Sequence, residues 1–335
     1  MKYGLMVYDE YPDGQNIGDY VQSLAAKQFI PSSNDIVFVK RDWMNEYHGE
    51  DIKLIMNGWY SHRPENFKPS EKIHPLFISF HLNSMVKDAI LTDENISYLK
   101  KHEPIGCRDR YTESVLKKKG INAYFSGCLT LTLGKTYKMP KEREEIYFID
   151  PFIGTDISFL ELVRCFFSIL KNFKFLKKIQ KDMFCRQGIK NMLKTALFFR
   201  QYSEFLGKDV LKKAKFLHNT VHSESNDGYF KEAEKRIEIY ASAKLIVTSR
   251  IHAALPATGL DTPVLFVKYI HDVEASTCRF DGLLDLFNVV HHDGKRLLHD
   301  ERININALDI KTDYKVLANN MEKTCRSFFE YDEKK

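Results

Sequence analysis

The sequence lacks a long apolar run. Its 335 residues contain no stretch of 18 or more consecutive apolar residues, so we expect no membrane-spanning helix. The start, MKYGLMVYDE, has neither the charged and apolar regions nor the cleavage site of a signal peptide, and it is typical of a first β-strand. These absences predict a cytoplasmic protein.

Cysteine is scarce. The six cysteines are scattered along the chain, and no CxxC pair occurs. The sequence therefore predicts neither a disulfide framework nor a structural zinc site, and the thiols fit a reduced, cytosolic protein. We expect no metal ion and no cofactor.

Motifs of nucleotide-binding and nucleic-acid-binding proteins are also missing. The dinucleotide fingerprint GxGxxG does not occur, and no pattern of an RNA-binding module is present. The net charge of +5 is modest, and it favours anionic partners without specifying one. We expect no nucleic-acid partner, and the sequence leaves the oligomeric state open.

Strand-like apolar runs alternate with amphipathic helices, which is the pattern of parallel βαβ units. With 335 residues, 44% of them apolar, the chain has material for two cores. We predict an α/β fold of two doubly wound, Rossmann-like domains that face each other across a cleft. The predicted divisions are residues 1–140, residues 141–312, and a C-terminal helix within residues 313–335 that packs back toward the N-terminal domain.

The apolar periodicity places individual elements. The predicted strands are Lys2–Tyr8, Ile36–Val39, Ile52–Met56, Leu76–Phe80, Pro104–Cys107, Ile121–Phe125, Glu145–Ile149, Leu245–Val247 and Val264–Val267. The predicted helices are Asn16–Phe29, Tyr111–Lys119, Glu224–Tyr240, Ile251–Gly259 and Asp313–Phe329. Ligands of such sheets bind beyond the carboxyl ends of the strands, so those ends are where we look for a site.

Residues 160–215 form a basic helical stretch within the second domain. The stretch carries fourteen Lys or Arg and four Asp or Glu, interleaved with Phe and Leu. One interpretation is solvated basic helices that pack by their apolar faces. A second is a surface for a membrane or another polyanion, which would suit a lipid-linked substrate at the cytoplasmic leaflet.

Residues 15–20, Gln-Asn-Ile-Gly-Asp-Tyr, follow the first strand and open the first helix. Backbone N–H groups and the helix dipole face a ligand at such a point. Gly18 would let a ligand approach the backbone closely. Alternatively, Asn16 simply caps the helix and Asp19 favours its first turn.

Residues 104–112 carry Arg108 at the carboxyl end of an apolar strand. Its planar guanidinium suits a phosphate or a carboxylate. Asp109 would cap the following helix or hold Arg108, and a structural Arg–Asp pair is the alternative.

Residues 243–254 run from a buried-type strand into Ser249, Arg250, Ile251 and His252 at a helix start. Arginine supplies a permanent positive charge, and histidine can carry a proton near neutral pH. We expect a functional site here. His81, Asn57 and Trp59 also lie near predicted strand ends, where they line the cleft or take part in ordinary packing.

These segments resemble, in order and spacing, those of the polysaccharide pyruvyl transferase family. The similar stretches are NIGDYVQSLAA, CRDRYTESVLKKKGI, YFSGCLTLTL, AKLIVTSRIHAALPATGLDTPVLFV and RFDGLLDLF. The basic residues 160–215 have no counterpart in the resemblance.

The resemblance implies a two-domain fold of the GT-B type, with the substrates between the domains. It implies transfer of a pyruvyl group from phosphoenolpyruvate, as a ketal, to a sugar of a glycan or lipid-linked oligosaccharide in capsule, exopolysaccharide or cell-wall polymer biosynthesis. Arg108 and Arg250 match arginines that hold the donor, and His252 matches a histidine of acid–base catalysis. Asn16, Gly18, Asp19, Ser249 and Ile251 complete the predicted substrate-binding set.

Two other functions stay open on the sequence. One is a GT-B glycosyltransferase that uses a nucleotide sugar, because a diphosphate would also need Arg250. The other is a non-catalytic glycan-binding or membrane-associated protein of the same fold.

Overall fold

The computed structural model describes residues 1–31, 36–298 and 308–330. The first part of the chain forms β1 (Lys2–Val7), β2 (Gln15–Asn16), α1 (Ile17–Lys27), β3 (Ile36–Lys40), a 3₁₀ helix (Arg41–Glu46), β4 (Ile52–Met56), a 3₁₀ turn (Pro64–Asn66), β5 (Ile73–Phe77), α2 (Lys87–Ile90), α3 (Asp93–Lys101), β6 (Ile105–Cys107), α4 (Arg110–Lys118), β7 (Ala123–Phe125) and a 3₁₀ helix (Leu129–Lys135).

The first sheet is parallel. Its strands lie in the order β3-β1-β4-β5, while β6 and β7 form a separate parallel pair. The backbone at Phe80 joins the two groups, because its N–H donates to Gly106 and its carbonyl accepts from Arg108. All five residues of β4 are buried, as expected for a strand covered on both faces.

The predicted strand Leu76–Phe80 is wrong in its bounds. The strand is β5, which ends at Phe77. Ser79 then adopts a left-handed backbone conformation with φ of 57°. This turn takes the chain away from β4 and toward β6, and a periodicity of apolar residues cannot reveal such a change of partner.

The rest of the chain forms β8 (Ile146–Ile149), α5 (Phe159–Met183), α6 (Ile189–Leu206), α7 (Lys208–Lys213), β9 (Lys215–Leu217), β10 (Thr220–Val221), α8 (Asn226–Ser242), β11 (Leu245–Thr248), α9 (Ile251–Gly259), β12 (Val264–Tyr269), α10 (Glu274–Thr277), two 3₁₀ turns (Cys278–Phe280, Leu284–Leu286), β13 (Asn288–His292), β14 (Leu297–Leu298) and α11 (Tyr314–Glu330).

The second sheet has the order β14-β13-β12-β11-β8-β9. Its pairs are parallel, apart from the antiparallel pair of β13 with β14. The expected α/β fold with parallel sheets is therefore confirmed. Helices α5 and α6, which carry the basic stretch, pack on this sheet through a separate apolar cluster that includes Phe148, Phe198 and Tyr202.

Helix α1 connects the two halves. Asn16 caps it, and the residues from Ile17 to Ala26 are all buried. Tyr20 of α1 stacks on Tyr229 of α8 with ring centroids 4.9 Å apart, inside a core to which both halves contribute. Strands β2 and β10 also pair across the halves. The carboxyl ends of the two sheets are thereby held close together.

Helix α11 returns to the first sheet. The Tyr3 and Phe329 rings lie 5.3 Å apart, and Nζ of Lys53 donates to the Phe328 carbonyl at 2.8 Å.

None of the helices in the described ranges is both long enough and apolar enough to cross a bilayer.

Candidate active site

A cavity of about 180 Å³ lies where the carboxyl ends of β6, β8 and β11 meet. We call it the inner cavity. Its lining residues are Asn16, Trp59, His81, Asn83, Arg108, Asp150, Asn219, Thr220, Arg250, Ile251, His252 and Arg279. Both halves of the chain contribute to it, so the fold brings together segments that are far apart in sequence.

Arg108 is the most deeply buried cation of the inner cavity, with 1% of its surface exposed. It directly follows β6, and its backbone N–H is fixed by the carbonyl of Phe80 at 2.8 Å. Its Nε lies 3.7 Å from a carboxylate oxygen of Asp109 but has no hydrogen-bond partner among the described residues. Because a buried donor without an acceptor is costly, the arrangement favours an anionic ligand that accepts from it.

Arg279 is a second cation with an unmet donor, and the sequence did not single it out. Its Nε is buried without a hydrogen-bond partner in the described ranges. Burial, together with the charges of Arg108 and Arg250, lowers the pKa of Arg279 to about 10. Arg279 is the first residue of RFDGLLDLF, one of the stretches that resemble the family, so a signal for it was present in the sequence. Repulsion among the three cations would be relieved by a bound anion, so the site favours an anionic ligand.

Arg250 follows β11 at the start of α9, as the sequence predicts. Its Nε donates to Asp150 at 3.3 Å, and more than half of its side chain is exposed. Asp150 has a φ of 41° and also accepts from the backbone N–H of Asn219 at 3.1 Å. A non-glycine residue in this conformation at the end of β8 is held there by its surroundings.

Asn219 is another residue that sequence analysis missed. Only 4% of its surface is exposed, and both of its side-chain polar atoms lack partners in the described parts of the chain. Its carbonyl accepts from the backbone N–H of Ile17, which fixes it beside α1. An amide that lines a cavity with both functions unmet is available to a polar ligand.

His252 lies beside Arg108. Its Nε2 is 3.4 Å from Nη1 of Arg108 and 3.5 Å from Nε2 of Gln22. On the other side, its Nδ1 is 3.5 Å from Oδ1 of Asp19 and 3.5 Å from Nδ2 of Asn16. Burial and the positive charge of Arg108 hold the pKa of His252 well below its usual 6.5. The imidazole is therefore neutral near pH 7 before any anion binds.

Of the residues predicted to bind substrate in the segment 15–20, one lines the inner cavity and two do not. Asn16 does cap α1, since its Oδ1 accepts from the Gly18 N–H at 3.2 Å, and it also lines the inner cavity. Asp19 lies outside the lining, is buried, and contacts the imidazole of His252. Gly18 has a different neighbour from the one predicted. A Cβ at this position would lie 2.4 Å from Cβ of His252, so the glycine makes room for that histidine and not for a ligand.

Ile251 and Ser249, the other two predicted binding residues, differ in position. Ile251 is buried and lines the inner cavity. Ser249 lies outside that lining. Its Oγ donates to the carbonyl of Val267 and accepts from the N–H of Phe152, both at 2.7 Å. Ser249 thus fixes the loop after β8.

His81 also lines the inner cavity, and it pairs with Trp59 in an isolated β-bridge. Its Nδ1 is 2.6 Å from a carboxylate oxygen of Asp109, and burial lowers the pKa of His81 to about 4. Asn57 is buried but outside the lining, where its amide donates to the Gln22 carbonyl at 2.8 Å. Of the three residues near strand ends, two line the cavity and one packs beneath it.

A larger groove of about 690 Å³ adjoins the inner cavity, and the two share Asp150, Arg250 and Arg279. We call it the outer groove. It lies at the carboxyl ends of β8, β11 and β12. Its lining also includes two aromatic residues, Phe152 and Tyr269, and three lysines, Lys190, Lys194 and Lys268. The rings of Phe152 and Tyr269 stack with their centroids 4.5 Å apart. This wall combines an aromatic surface with positive charge.

The chain is similar to several solved structures at low identity. A functionally uncharacterised protein from Klebsiella pneumoniae is 13% identical, with 86% of this chain and 92% of that chain covered and a TM-score of 0.41. The wall teichoic acid polymerase TagF is 10% identical, with 98% and 89% of the two chains covered and a TM-score of 0.35. No curated protein matches the sequence.

The sequence also matches a family model over most of its length. That model describes polysaccharide pyruvyl transferases, and the match covers residues 16–271. The matched range contains Arg108, Arg250 and His252, while Arg279 lies just beyond it. The chain belongs to the polysaccharide pyruvyl transferase family.

Proposed function

We propose that the protein transfers a pyruvyl group from phosphoenolpyruvate to two hydroxyls of one sugar, as a ketal, during assembly of a capsule, exopolysaccharide or cell-wall polymer. The observation that carries the proposal is the convergence of Arg108, Arg250 and Arg279 with two histidines on one small cavity. Family membership supports the reaction type.

The donor binds in the inner cavity. Phosphoenolpyruvate carries a phosphate and a carboxylate on adjacent positions, and two or more guanidinium groups can pair with both. The unmet Nε atoms of Arg108 and Arg279 supply donors that have no other partner in the described chain. The neutral amide of Asn219 completes the polar wall. No cofactor or metal ion takes part in this scheme.

The chemistry balances without an added reactant. A sugar hydroxyl adds to C2 of the donor while the methylene carbon takes a proton and becomes a methyl group. A second hydroxyl of the same sugar then displaces the phosphate, which leaves with the second proton. His252 lies beside Arg108, takes up a proton when the negatively charged donor binds, and delivers it to the methylene carbon.

The acceptor sugar binds in the outer groove, which opens onto the inner cavity through Arg250 and Arg279. The stacked rings of Phe152 and Tyr269 present an apolar face of the kind that sugar rings cover. Lys190 and Lys194 from α6 line the same groove, so it suits an acceptor that bears phosphate close to the sugar.

Binding and product analysis test this function together. Phosphoenolpyruvate should raise the melting temperature of the protein, whereas UDP-glucose and CDP-glycerol should not. Incubation with phosphoenolpyruvate and lipid-linked saccharides of the native pathway should then release phosphate and yield a pyruvate ketal by mass spectrometry. Stabilisation by a nucleotide sugar, with transfer of its sugar, would replace the proposal by a glycosyltransferase. Binding of saccharides without any product would indicate a non-catalytic protein.

The acceptor is lipid-linked, and the protein meets it at the anionic inner leaflet through α5. Seven large apolar side chains of this helix are exposed: Phe159, Leu160, Leu162, Phe166, Phe167, Leu170 and Phe173. The spacing of the first six places them on one broad stripe of the helix, and Phe173 follows a kink at Asn172. Exposed lysines, among them Lys174, Lys177 and Lys181, adjoin the stripe. Apolar side chains flanked by lysines are suited to the interface of a membrane with anionic lipids.

Replacing Phe166 and Phe167 together by glutamate is expected to weaken membrane binding. Both side chains are more than half exposed, so the folded chain should tolerate the change. Withdrawing two phenylalanines from the interface should reduce partitioning by about tenfold or more. Co-sedimentation with phosphatidylglycerol–phosphatidylcholine vesicles measures this, with Val316→Glu on the exposed face of α11 as the matched control. Equal sedimentation of the double variant and the native chain would remove α5 from the membrane contact.

A further inference from the structure

The pair of His81 and Asp109 has the geometry of an oriented base. Nδ1 of His81 lies 2.6 Å from Oδ2 of Asp109. Both side chains are almost completely buried, with 2% and 0% of their surfaces exposed. The carboxylate of Asp109 fixes the tautomer that keeps the proton on Nδ1, which leaves Nε2 as a proton acceptor. Within the described chain, Nε2 makes no hydrogen bond, and His81 lines the inner cavity.

Asp109 is itself held in place by three other contacts. Its Oδ1 accepts from the backbone N–H of Thr112 at 2.9 Å and from the Thr112 hydroxyl at 2.7 Å, which caps α4. Its Oδ2, which faces His81, lies 3.7 Å from Nε of Arg108. Burial opposes its charge, but His81 and Arg108 lower the pKa of Asp109 below its ordinary value. The carboxylate therefore stays ionised and can stabilise an imidazolium.

The two histidines of the inner cavity differ in their partners. His252 has no close hydrogen bond to a carboxylate, since Asp19 lies 3.5 Å away. Asp19 is also buried, and burial raises its pKa. His81 has a short contact to an ionised carboxylate, and it lines the same cavity as His252. Burial lowers the pKa of His81, but the contact to Asp109 raises it and orients the ring, and His252 lacks such a partner.

We propose that His81, oriented by Asp109, is the general base that takes the proton from the attacking sugar hydroxyl. This assignment rests on the proposed function. As the hydroxyl oxygen bonds to C2, its proton moves to Nε2 of His81, and the electrons of the C2–C3 double bond take a proton from His252. As the second hydroxyl displaces phosphate, its proton moves to His252, and His81 returns its proton to the leaving phosphate. Both imidazoles end in the state in which they began.

Replacing His81 by glutamine tests the assignment. The expected result is a fall in kcat of about 10²- to 10⁴-fold, with the dissociation constant for phosphoenolpyruvate unchanged by isothermal titration calorimetry. His102→Gln, a part-buried histidine at the end of α3, is the matched control and should keep full turnover. Imidazole added to His81→Ala should restore part of the lost turnover, which a structural defect would not allow.

Asp109→Asn tests whether Asp109 acts by orienting His81. Asparagine also caps helices, so α4 keeps its start. Because Asp109 raises the pKa of His81, its loss should move the acidic limb of the kcat profile to lower pH and reduce the maximum. An active native enzyme whose His81→Gln variant turns over equally fast would overturn the role of His81 and leave the proposed function intact. A native enzyme that forms no ketal would overturn the proposed function instead.

Discussion

Arg108→Ala is expected to weaken binding of phosphoenolpyruvate by about 100-fold or more, because hydrogen bonds to charged groups contribute roughly 1.5–3 kcal/mol each. The guanidinium is 1% exposed and has an unmet Nε, so it is already desolvated and placed before the donor arrives. Arg108→Lys should recover only part of the affinity, since an ammonium group cannot form the paired contact of the planar fork. Isothermal titration calorimetry with phosphoenolpyruvate measures both variants.

Arg110→Ala is the matched control for Arg108. It lies two residues further along, its side chain is 60% exposed, and it pairs with Glu113 on α4. It should therefore bind phosphoenolpyruvate as the native chain does. Native affinity in both Arg108→Ala and Arg250→Ala would move the anion site away from the inner cavity.

His252→Ala should lower turnover by about 10²- to 10⁴-fold, the usual contribution of general acid–base catalysis. Alanine retains the Cβ that packs against Gly18, so the contact between α9 and α1 survives the change. Initial rates of phosphate release in the presence of acceptor measure the effect. His291→Ala, an exposed histidine on β13, should leave the rate unchanged.

The same residue predicts a pH dependence of donor binding. Burial and neighbouring arginines keep the pKa of His252 well below 6.5 in the ligand-free protein. The negative charges of phosphoenolpyruvate oppose those arginines, so binding should raise the pKa and take up a proton. Affinity should then fall as pH rises through the pKa of the complex. Calorimetry in two buffers of different ionisation enthalpy should detect the uptake, and His252→Ala should abolish it. Phosphate release by His252→Ala at a rate near the native value would exclude His252 from the mechanism. Unchanged proton uptake by the same variant on binding phosphoenolpyruvate would do so as well.

Much of the fold follows from local patterns. Helix α9, Ile251–Gly259, has the predicted bounds, because its apolar periodicity begins directly after a buried strand. Gly120 follows the end of α4 in a left-handed conformation, which glycine adopts readily at a helix C-terminus. Long-range pairing does not follow in the same way. The short pair of β2 with β10 joins residues about 200 positions apart, and two-residue strands carry no periodicity.

The site was predictable where a motif placed a charged residue at the end of a strand. Arg108, Arg250 and His252 line one cavity, although nothing in their spacing fixes the contact between Arg108 and His252, and their roles stay a prediction. Arg279 lies in a short 3₁₀ turn and Asn219 lies between two short strands, so their burial depends on the assembled halves. The role of Gly18 also depended on tertiary packing, because its neighbour is more than 230 residues away.

The proposed reaction requires a small donor with two anionic groups to occupy the cavity between the two sheets. A crystal structure of the protein with phosphoenolpyruvate tests it most directly. We expect phosphate and carboxylate oxygens within hydrogen-bond distance of Arg108 and Arg279, with the methylene carbon facing His252. Phosphoenolpyruvate bound elsewhere, with these side chains still unpaired, would contradict it.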